Sequence, residues 1–146
     1  MLYDAAGAGH EIGVHAWDHR LWQAKSDRMS AEEGVRQVRM AFEELTRITG
    51  KEPECSASPG WRCTEELLRS KESFPFRYNS DCRGNSIFLP VVDGKTLTVP
   101  QIPLNLPTYD ELYGRDGITN ENYNSRLLDC FSPDGLNLLT IHAEVE

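Results

Sequence analysis

Short apolar segments alternate with segments of helical periodicity along this chain, and that order constrains the fold more than any other feature. The predicted strands cover residues 9–15, 54–57, 76–79 and 136–141, with a hairpin of 87–92 and 96–102 joined through Asp93-Gly94. Segments with helical spacing of apolar residues lie between them. Because successive strand–helix units build parallel sheets or barrels, the expected fold class is α/β.

The clearest single element is a helix over residues 31–49. Ser30 and Glu33 are spaced as a capping box, in which each side chain binds the backbone N–H of the other residue. Gly50 follows the last turn, where a left-handed residue commonly ends a helix. The apolar residues that recur at helical spacing between these ends are Val35, Val38, Phe42, Leu45 and Ile48.

Three shorter helices are predicted elsewhere. The first nine residues are typical of the end of a helix, and a second short helix begins after Thr64 and carries Leu67 and Leu68. A third begins after Thr119, and its predicted apolar side consists of Tyr123, Leu127, Leu128 and Phe131. The alternation of strands and helices therefore extends over the whole chain.

Polar or unusual side chains follow four of the predicted strands. In chain order they are His15 and His19, then Trp61 and Arg62, then Asp81 and Arg83, and finally His142. Because the ends of parallel strands meet on one face, these side chains are candidates for a single pocket. Each has an ordinary alternative: Trp61 could be plain packing, Asp81 and Arg83 a local ion pair in a turn, and His142 a satisfied structural histidine.

The segment His15-Ala-Trp-Asp-His19 is the strongest candidate for chemistry. Neutral imidazole is the commonest metal-ligating side chain, and two imidazoles on one side of an ion leave its other side open, as hydrolytic sites require. The spacing alone is a weak signal, because it arises often by chance. The position of the HxxxH motif after a predicted strand strengthens the signal. Trp17 and Trp22 could exclude water from the histidine pair, and Asp18 could orient one of the histidines.

Composition limits the range of functions. The chain has 146 residues, enough for one domain, and 15 basic against 23 acidic residues give a formal charge of −8. This charge argues against a nucleic-acid-binding surface and against a polybasic membrane patch. No run of 18 apolar residues is present, and residues 1–4 lack the pattern of a signal peptide, so we expect no transmembrane segment. The four cysteines form no CxxC pair and are expected to be free thiols.

The order of these motifs resembles the polysaccharide deacetylase family with the NodB homology domain. The shared features are HxxxH, a Pro-Gly-Trp-Arg loop at 59–62, an Asp-containing strand end and the string Leu-Thr-Ile-His at 139–142. More specific strings, Tyr-Asn-Ser-Asp-Cys-Arg-Gly at 78–84 and Thr-Ile-His-Ala-Glu at 140–144, are similar to the deformylase branch of that family. The resemblance covers nearly the whole chain.

This resemblance implies a fold, an activity and a set of site residues. The fold would be a partial, distorted (β/α)7 TIM-like barrel of the NodB homology type, in a single incomplete domain over residues 1–146. The activity would be metal-dependent hydrolysis of the N-formyl or N-acyl group of an aminosugar carried on a polyprenyl phosphate, in lipid A and lipopolysaccharide modification linked to antibiotic resistance. His15 and His19 would bind a divalent zinc, manganese or cobalt ion, and His142 would be the general acid. Asp81 would orient His142, and the substrate-binding residues would be Trp61, Arg62, Tyr78 and Arg83.

One family feature is missing from the sequence. The family opens with a Thr-Phe-Asp-Asp-like motif that supplies the catalytic base and a third metal ligand, and this chain contains no Asp-Asp pair. We therefore expect an incomplete domain that is inactive alone and that self-associates through the exposed edge of the barrel. The resemblance implies a cytoplasmic protein, peripheral at the inner membrane of a bacterium. The alternatives are a deacetylase of another N-acylated glycan, or a non-catalytic sugar- or partner-binding remnant of the fold.

Overall fold

The structure, a computed structural model, describes residues 2–143 and contains both helices and short strands. Its helices are α1 Leu2–Gly7, α2 His19–Lys25, α3 Ala31–Thr49, α4 Glu65–Lys71, α5 Tyr109–Leu112 and α6 Tyr123–Leu128. Its strands are β1 Cys55–Ala57, β2 Tyr78–Ser80, β3 Val91–Val92 and β4 Lys95–Thr96. Single 3-10 turns occupy Ser26–Arg28 and Pro59–Trp61. The described residues divide into two compact units, the first made of 2–82 with Phe88–Ile102 and the second of Arg83–Ile87 with 103–143.

Parallel pairing forms the centre of the first unit. β1 pairs in parallel with β2, with Cys55 opposite Tyr78 and Ala57 opposite Ser80. Val14 adds a parallel bridge on the free side of β1, and Gln101 adds one on the free side of β2. Four chain segments therefore run side by side in one direction, as the predicted strand–helix alternation requires. The residues that follow each segment consequently emerge at the same edge.

Helix α3 forms as its local signals predict. Ser30 caps it by accepting a hydrogen bond from the Glu33 backbone N–H at 3.2 Å, and Gly50 ends it in the left-handed conformation at φ 73°. The Glu33 side chain does not complete a capping box, because its carboxylate accepts instead from Arg36 and Gln37. The prediction of the helix is confirmed, and the predicted second half of the capping box is wrong.

Helices α3 and α4 pack closely over the parallel segments. Gly34 allows this approach, because a Cβ atom at that position would lie 2.0 Å from a methyl group of Leu67, which is itself buried. Thr64 caps α4 as predicted, by accepting a hydrogen bond from the Leu67 N–H at 3.3 Å. The buried apolar core of this unit consists of Val14, Trp22, Met29, Val38, Ala41, Leu67, Phe74, Phe76 and Val99.

Several predicted elements of the first unit are present but shorter. The strand predicted at 9–15 is reduced to the single bridge of Val14, and the strand predicted at 76–79 lies slightly later, at β2. The hairpin retains its predicted turn, with positive φ at both Asp93 and Gly94, but its two strands have only two residues each. Pro90 has no N–H to donate to a ladder, and the N–H groups of Thr98 and Val99 donate instead to the Glu72 carboxylate, so the pairing stays short.

The second unit departs most from prediction. Residues 136–141 are not a strand, although their apolar composition predicts one. The side chain of Asn105 donates to the Leu136 carbonyl and accepts from the Leu138 N–H at 2.8 Å, and thereby occupies groups that a strand ladder would use. Its small core consists of Ile118, Tyr123 and Leu127. The prediction that Leu128 and Phe131 share that apolar side is wrong, because both are exposed.

Candidate functional site

The two histidines of the HxxxH motif lie side by side. The ring centroids of His15 and His19 are 5.2 Å apart, and both residues are exposed. His15 Nδ1 lies 2.8 Å from the backbone carbonyl of Ala57, at the end of β1. A hydrogen bond to that carbonyl requires the proton on Nδ1 and leaves the lone pair on Nε2, which is how proteins commonly orient a metal-ligating histidine. The pair therefore offers a preoriented nitrogen donor beside a second imidazole.

Helix α2 holds His19 at its first residue, and Asp18 caps that helix. The Asp18 carboxylate accepts from the Leu21 N–H at 2.9 Å, and the Asp18 N–H donates to the side chain of Gln37, also at 2.9 Å. The idea that Asp18 orients a histidine is thus replaced by a helix-capping role. The group that orients His15 is a main-chain carbonyl, which sequence reasoning had no signal to identify.

Asp81 lies at the end of β2 in a buried ion pair. Its Oδ1 accepts from Lys71 Nζ at 2.5 Å and from Ser58 Oγ at 2.7 Å, and Lys71 also donates to Ser58 Oγ at 3.0 Å. Its Oδ2 accepts from Gln101 at 3.1 Å, while its backbone N–H donates to the other end of the same amide at 2.9 Å. All four residues are buried. The cluster ties together the ends of β1 and β2 and the neighbouring Gln101 segment.

Sequence reasoning missed Lys71, Ser58 and Gln101. Lys71 ends a predicted helix, where a lysine ordinarily points to solvent, yet 2% of its side chain is exposed. Asp81 was predicted as a site residue because it is a polar residue that follows a predicted strand. Ser58 follows β1 in the same way, so the same criterion could have identified it. Nothing in the sequence marks Gln101.

The tryptophans and Arg62 occupy different environments from those expected. Trp22 does not wall off the histidine pair, because it is buried in the core and its indole N–H donates to the Arg62 carbonyl at 2.8 Å. Trp17 is 51% exposed. Arg62 donates to the Gln23 carbonyl at 2.8 Å and is itself exposed, while Trp61 has a left-handed backbone at φ 53° and a half-buried side chain. The loop after β1 is thereby fastened to helix α2.

Tyr78 opens β2 and binds an acidic residue. Its hydroxyl donates to Glu11 at 2.5 Å. Partial burial, together with this hydrogen bond to a carboxylate, raises the pKa of Tyr78 above its ordinary value, because both disfavour the phenolate. Tyr78 is therefore a neutral hydrogen-bonding group at all physiological pH values.

The cysteines of the first unit are protonated thiols. Burial is the main cause that raises the pKa of Cys63 to about 12, and the neighbouring Asp81 carboxylate adds to it. Burial also raises the pKa values of Cys55 and Cys82. All four cysteines of the chain are free, as predicted. Burial therefore keeps these three thiols protonated near neutral pH.

The second unit contains the remaining two predicted site residues. Arg83 forms an ion pair with Glu111 at 2.6 Å, so the alternative of a local Asp81–Arg83 pair does not describe its contact. His142 Nδ1 lies 3.3 Å from a carboxylate oxygen of Asp110, and the Thr108 side chain, followed by His142, lowers the pKa of Asp110. The proposed roles of both residues stay predictions.

The HxxxH pair does not assemble a complete ligand set by itself. In residues 2–143, no group of three or more His, Cys, Asp or Glu side chains is arranged to hold a metal ion. His15 and His19 thus supply two donors, and metal binding at this pair stays a prediction. Over the same described range, no helix combines the length and apolar character needed to cross a bilayer.

Two curated relatives match over nearly the whole chain. One, from Shewanella sediminis, is 51% identical over 146 residues, which is 100% of this chain and 47% of that protein. The other, from Wigglesworthia glossinidia brevipalpis, is 40% identical over 145 residues, or 97% of this chain and 50% of that protein. Both are described as probable 4-deoxy-4-formamido-L-arabinose-phosphoundecaprenol deformylases. The chain spans about half the length of these relatives.

A solved structure shows the same fold, and a family model matches the first unit. A polysaccharide deacetylase structure from Mycobacterium smegmatis aligns with a TM-score of 0.72 at 18% identity, covering 97% of this chain and 52% of that one. The model of the polysaccharide deacetylase family matches residues 1–79, which include the histidine pair, β1 and the start of β2. Because this match covers more than half of the chain, the chain belongs to the polysaccharide deacetylase family.

Proposed function

We propose that this chain carries part of the active site of a metal-dependent hydrolase that removes the N-formyl group from an aminosugar linked to a polyprenyl phosphate. The observation that carries the proposal is the pairing of His15 and His19, with His15 fixed by the Ala57 carbonyl. The substrate class is supported by the names of two relatives that match this chain at 51% and 40% identity.

The donor set of the histidine pair suits a divalent transition-metal ion. Neutral imidazoles favour zinc, cobalt or manganese over calcium or magnesium, which prefer oxygen. Both rings are exposed, so water and substrate oxygens have access to any further coordination positions. When bound here, a divalent ion would polarise the formyl carbonyl and acidify a water molecule. The chain's own contribution is the fixed orientation of His15 by β1 and the placement of His19 by α2.

Other residues take the roles that the family resemblance implies. His142 is the proposed general acid that protonates the departing nitrogen. Asp81 is proposed to orient that histidine, as the family resemblance implies. The proposed substrate groove includes Trp61, Arg62, Tyr78 and Arg83, of which Arg62 and Arg83 are exposed and can reach anionic groups.

The decisive experiment titrates Co²⁺ into the 146-residue chain and follows its visible absorption and the heat of binding. We expect one site, and we expect His15→Ala or His19→Ala to remove it. His10→Ala is the matched control, because His10 is also exposed but is not part of the pair. Binding that survives both pair substitutions, or is lost in His10→Ala, would contradict the proposed site.

Two alternatives predict different outcomes in substrate assays of the full-length protein. The family model that matches residues 1–79 is that of the polysaccharide deacetylases, which favours an N-acetylated glycan as a second candidate substrate. Release of acetate from N-acetylglucosamine oligomers, without release of formate from a formamido sugar lipid, would select that candidate. Among residues 2–143, no third His, Cys, Asp or Glu side chain joins His15 and His19 in a metal-binding group. This favours a non-catalytic remnant of the fold, which would bind metal or sugar and release neither acetate nor formate.

The remaining parts of the proposal concern architecture and location. We propose that the four parallel segments of the first unit belong to a distorted (β/α)7 barrel, and that both units are parts of one deacetylase-like domain. A lipid-linked substrate places the protein at the cytoplasmic face of a bacterial inner membrane in this proposal. Self-association through an open barrel edge is tested by sedimentation velocity over a range of concentrations.

A further inference from the structure

The carbonyl group that orients His15 lies where a parallel ladder stops. The Val14 N–H donates to the Cys55 carbonyl at 2.9 Å, and the Ala57 N–H donates to the Val14 carbonyl at 2.8 Å. In a parallel ladder of this register, the next acceptor is the Ala57 carbonyl. Ala16 ends the extended segment with a left-handed backbone at φ 64°, and the His15 ring reaches that carbonyl at 2.8 Å. The direction of this one carbonyl therefore decides where the imidazole points.

Ser58 shares a peptide bond with that carbonyl and is held by its own side chain. Because a peptide unit is planar, the Ala57 carbonyl moves together with the backbone N and Cα atoms of Ser58. Ser58 Oγ donates to Asp81 Oδ1 at 2.7 Å and accepts from Lys71 Nζ at 3.0 Å. Asp81 directly follows β2 and Lys71 ends α4, so two separate elements hold Ser58 in place.

The partners of Ser58 form a fixed point of the first unit. Asp81 and Lys71 are both buried and lie 2.5 Å apart, and the Gln101 side chain both donates to the Asp81 carboxylate and accepts from the Asp81 N–H. A fully bonded buried network of this kind holds its members in one arrangement. Without the Ser58 hydroxyl, Asp81 would still be bonded to Lys71 and Gln101. The carboxylate is therefore an anchor for Ser58, and Ser58 is not required to hold the carboxylate.

Another serine, two residues earlier in β1, makes a comparable contact with a different result. Ser56 Oγ donates to Asn79 at 2.6 Å, and Ser56 is buried, as is Ser58. The carbonyl that precedes Ser56 belongs to Cys55, and it accepts from the backbone N–H of Val14 within the ladder. Each serine therefore steadies a carbonyl on its N-terminal side, but the carbonyl beside Ser58 is the one that binds an imidazole.

We propose that Ser58 is a positioning residue of the histidine pair. Anchored by Asp81 and Lys71, its hydroxyl fixes the Ala57 carbonyl, and this carbonyl fixes the tautomer and direction of the His15 imidazole. The inference rests on the proposed function only in its last step, in which the lone pair left on Nε2 meets a divalent ion. The orientation of the ring itself needs no metal. Ser58 acts through the main chain and is not itself a ligand.

The test reads the His15 ring directly, by nitrogen NMR of the isotope-labelled 146-residue chain without metal, at a mildly alkaline pH where imidazole is ordinarily neutral. The ring-nitrogen chemical shifts distinguish a nitrogen that carries a proton from one that carries a lone pair, and the His15 signals are those that His15→Ala lacks. We expect the unmodified chain to hold the proton on Nδ1, and Ser58→Ala to show a mixture of both tautomers. Ser58→Thr keeps a hydroxyl and should behave like the unmodified chain.

Ser56→Ala is the matched control, because it also removes one buried hydroxyl and its hydrogen bond to a residue 23 positions later. It should leave the His15 tautomer unchanged, although urea denaturation should show a loss of stability similar to that in Ser58→Ala. As a second measurement, titration with Co²⁺ should give an affinity about tenfold lower for Ser58→Ala than for Ser56→Ala, the size of effect expected when a group that orients a ligand is disturbed.

The outcomes separate this inference from the proposed function. An unchanged Nδ1 tautomer in Ser58→Ala, or the same mixture of tautomers in Ser56→Ala, overturns the inference. Should circular dichroism show that Ser58→Ala is unfolded, the double variant Asp81→Leu/Lys71→Met removes both anchors without burying a charge, and it must then give the mixture. Failure of the unmodified chain to bind Co²⁺ contradicts the metal site of the proposed function, while the tautomer measurement still decides the role of Ser58.

Discussion

At the scale of single residues, the buried pair of Lys71 and Asp81 is the most consequential contact of the first unit. The two charges are 2.5 Å apart, and at most 2% of either side chain is exposed. Removing both charges from water is costly, and the pair is tolerable because Ser58 and Gln101 satisfy the remaining oxygen positions. Trp22 also lies 5.8 Å from the Lys71 ammonium group, measured to the ring centroid. We therefore expect the contributions of Lys71, Asp81, Ser58 and Gln101 to stability to depend on one another.

We expect Lys71→Met to lower the free energy of unfolding by roughly 3–5 kcal/mol, because it leaves a buried carboxylate without its cation. Adding Asp81→Asn should restore most of the loss, since no charge is then buried. Urea denaturation followed by circular dichroism measures both. Arg47→Met is the control, because its ion pair with Glu44 is exposed and its loss should change stability little. A Lys71→Met variant as stable as Arg47→Met would contradict the importance of the pair.

At the scale of elements, the sequence predicts helices better than strands because capping and periodicity are properties of contiguous residues. Ser30, Gly50 and Thr64 marked the ends of α3 and the start of α4 correctly. The strand expected at 136–141 did not form, because a strand depends on a partner whose identity its own residues do not contain. Likewise, the HxxxH motif was visible in the sequence, but its contact with the Ala57 carbonyl depends on the path of β1.

The start of α3 should respond to acid through Glu33. Hydrogen bonds from Arg36, and then from Gln37, lower the pKa of Glu33 to about 2 in the folded chain. Because the folded value is below the unfolded one, the charged form stabilises the fold above pH 4.5, and this contribution is lost as the pH falls towards 2. Melting temperatures of the unmodified chain and of Glu33→Gln should therefore converge over that interval. A difference that stays constant from pH 6 to pH 2 would contradict this assignment.

At the scale of the whole molecule, the proposed site residues are distributed over the two compact units. Parallel pairing and the histidine pair lie in the first unit, while His142 and its partner Asp110 lie in the second. Sequence strings identified the family correctly, because motifs such as Tyr-Asn-Ser-Asp-Cys-Arg-Gly are specific in themselves. They could not reveal the Lys71 cluster, since its hydrogen-bonded pairs are 10 to 23 residues apart and meet through the pairing of β1 with β2 and the placement of Lys71 by α4.

We expect the 146-residue chain alone to release no measurable formate from an N-formyl aminosugar lipid, even with Co²⁺ bound. The reason is that no third acidic or imidazole group joins the histidine pair as a metal ligand within residues 2–143, and that the sequence contains no Asp-Asp pair. The full-length relative from Shewanella sediminis, assayed in parallel, is the reference. Metal-dependent formate release that disappears in His15→Ala would contradict the expectation, and Asp18 and Asp81 would then be the first bases to test.

The contact between His15 and the Ala57 carbonyl has a consequence for how this protein family can diverge. Because the acceptor is a main-chain oxygen, the path of β1 determines the tautomer and direction of the His15 imidazole, and the identity of the side chain at position 57 does not. Substitutions at that position can accumulate without altering the ligand geometry, provided that the strand keeps its path. The orientation of this imidazole would therefore persist while the side chains around it change.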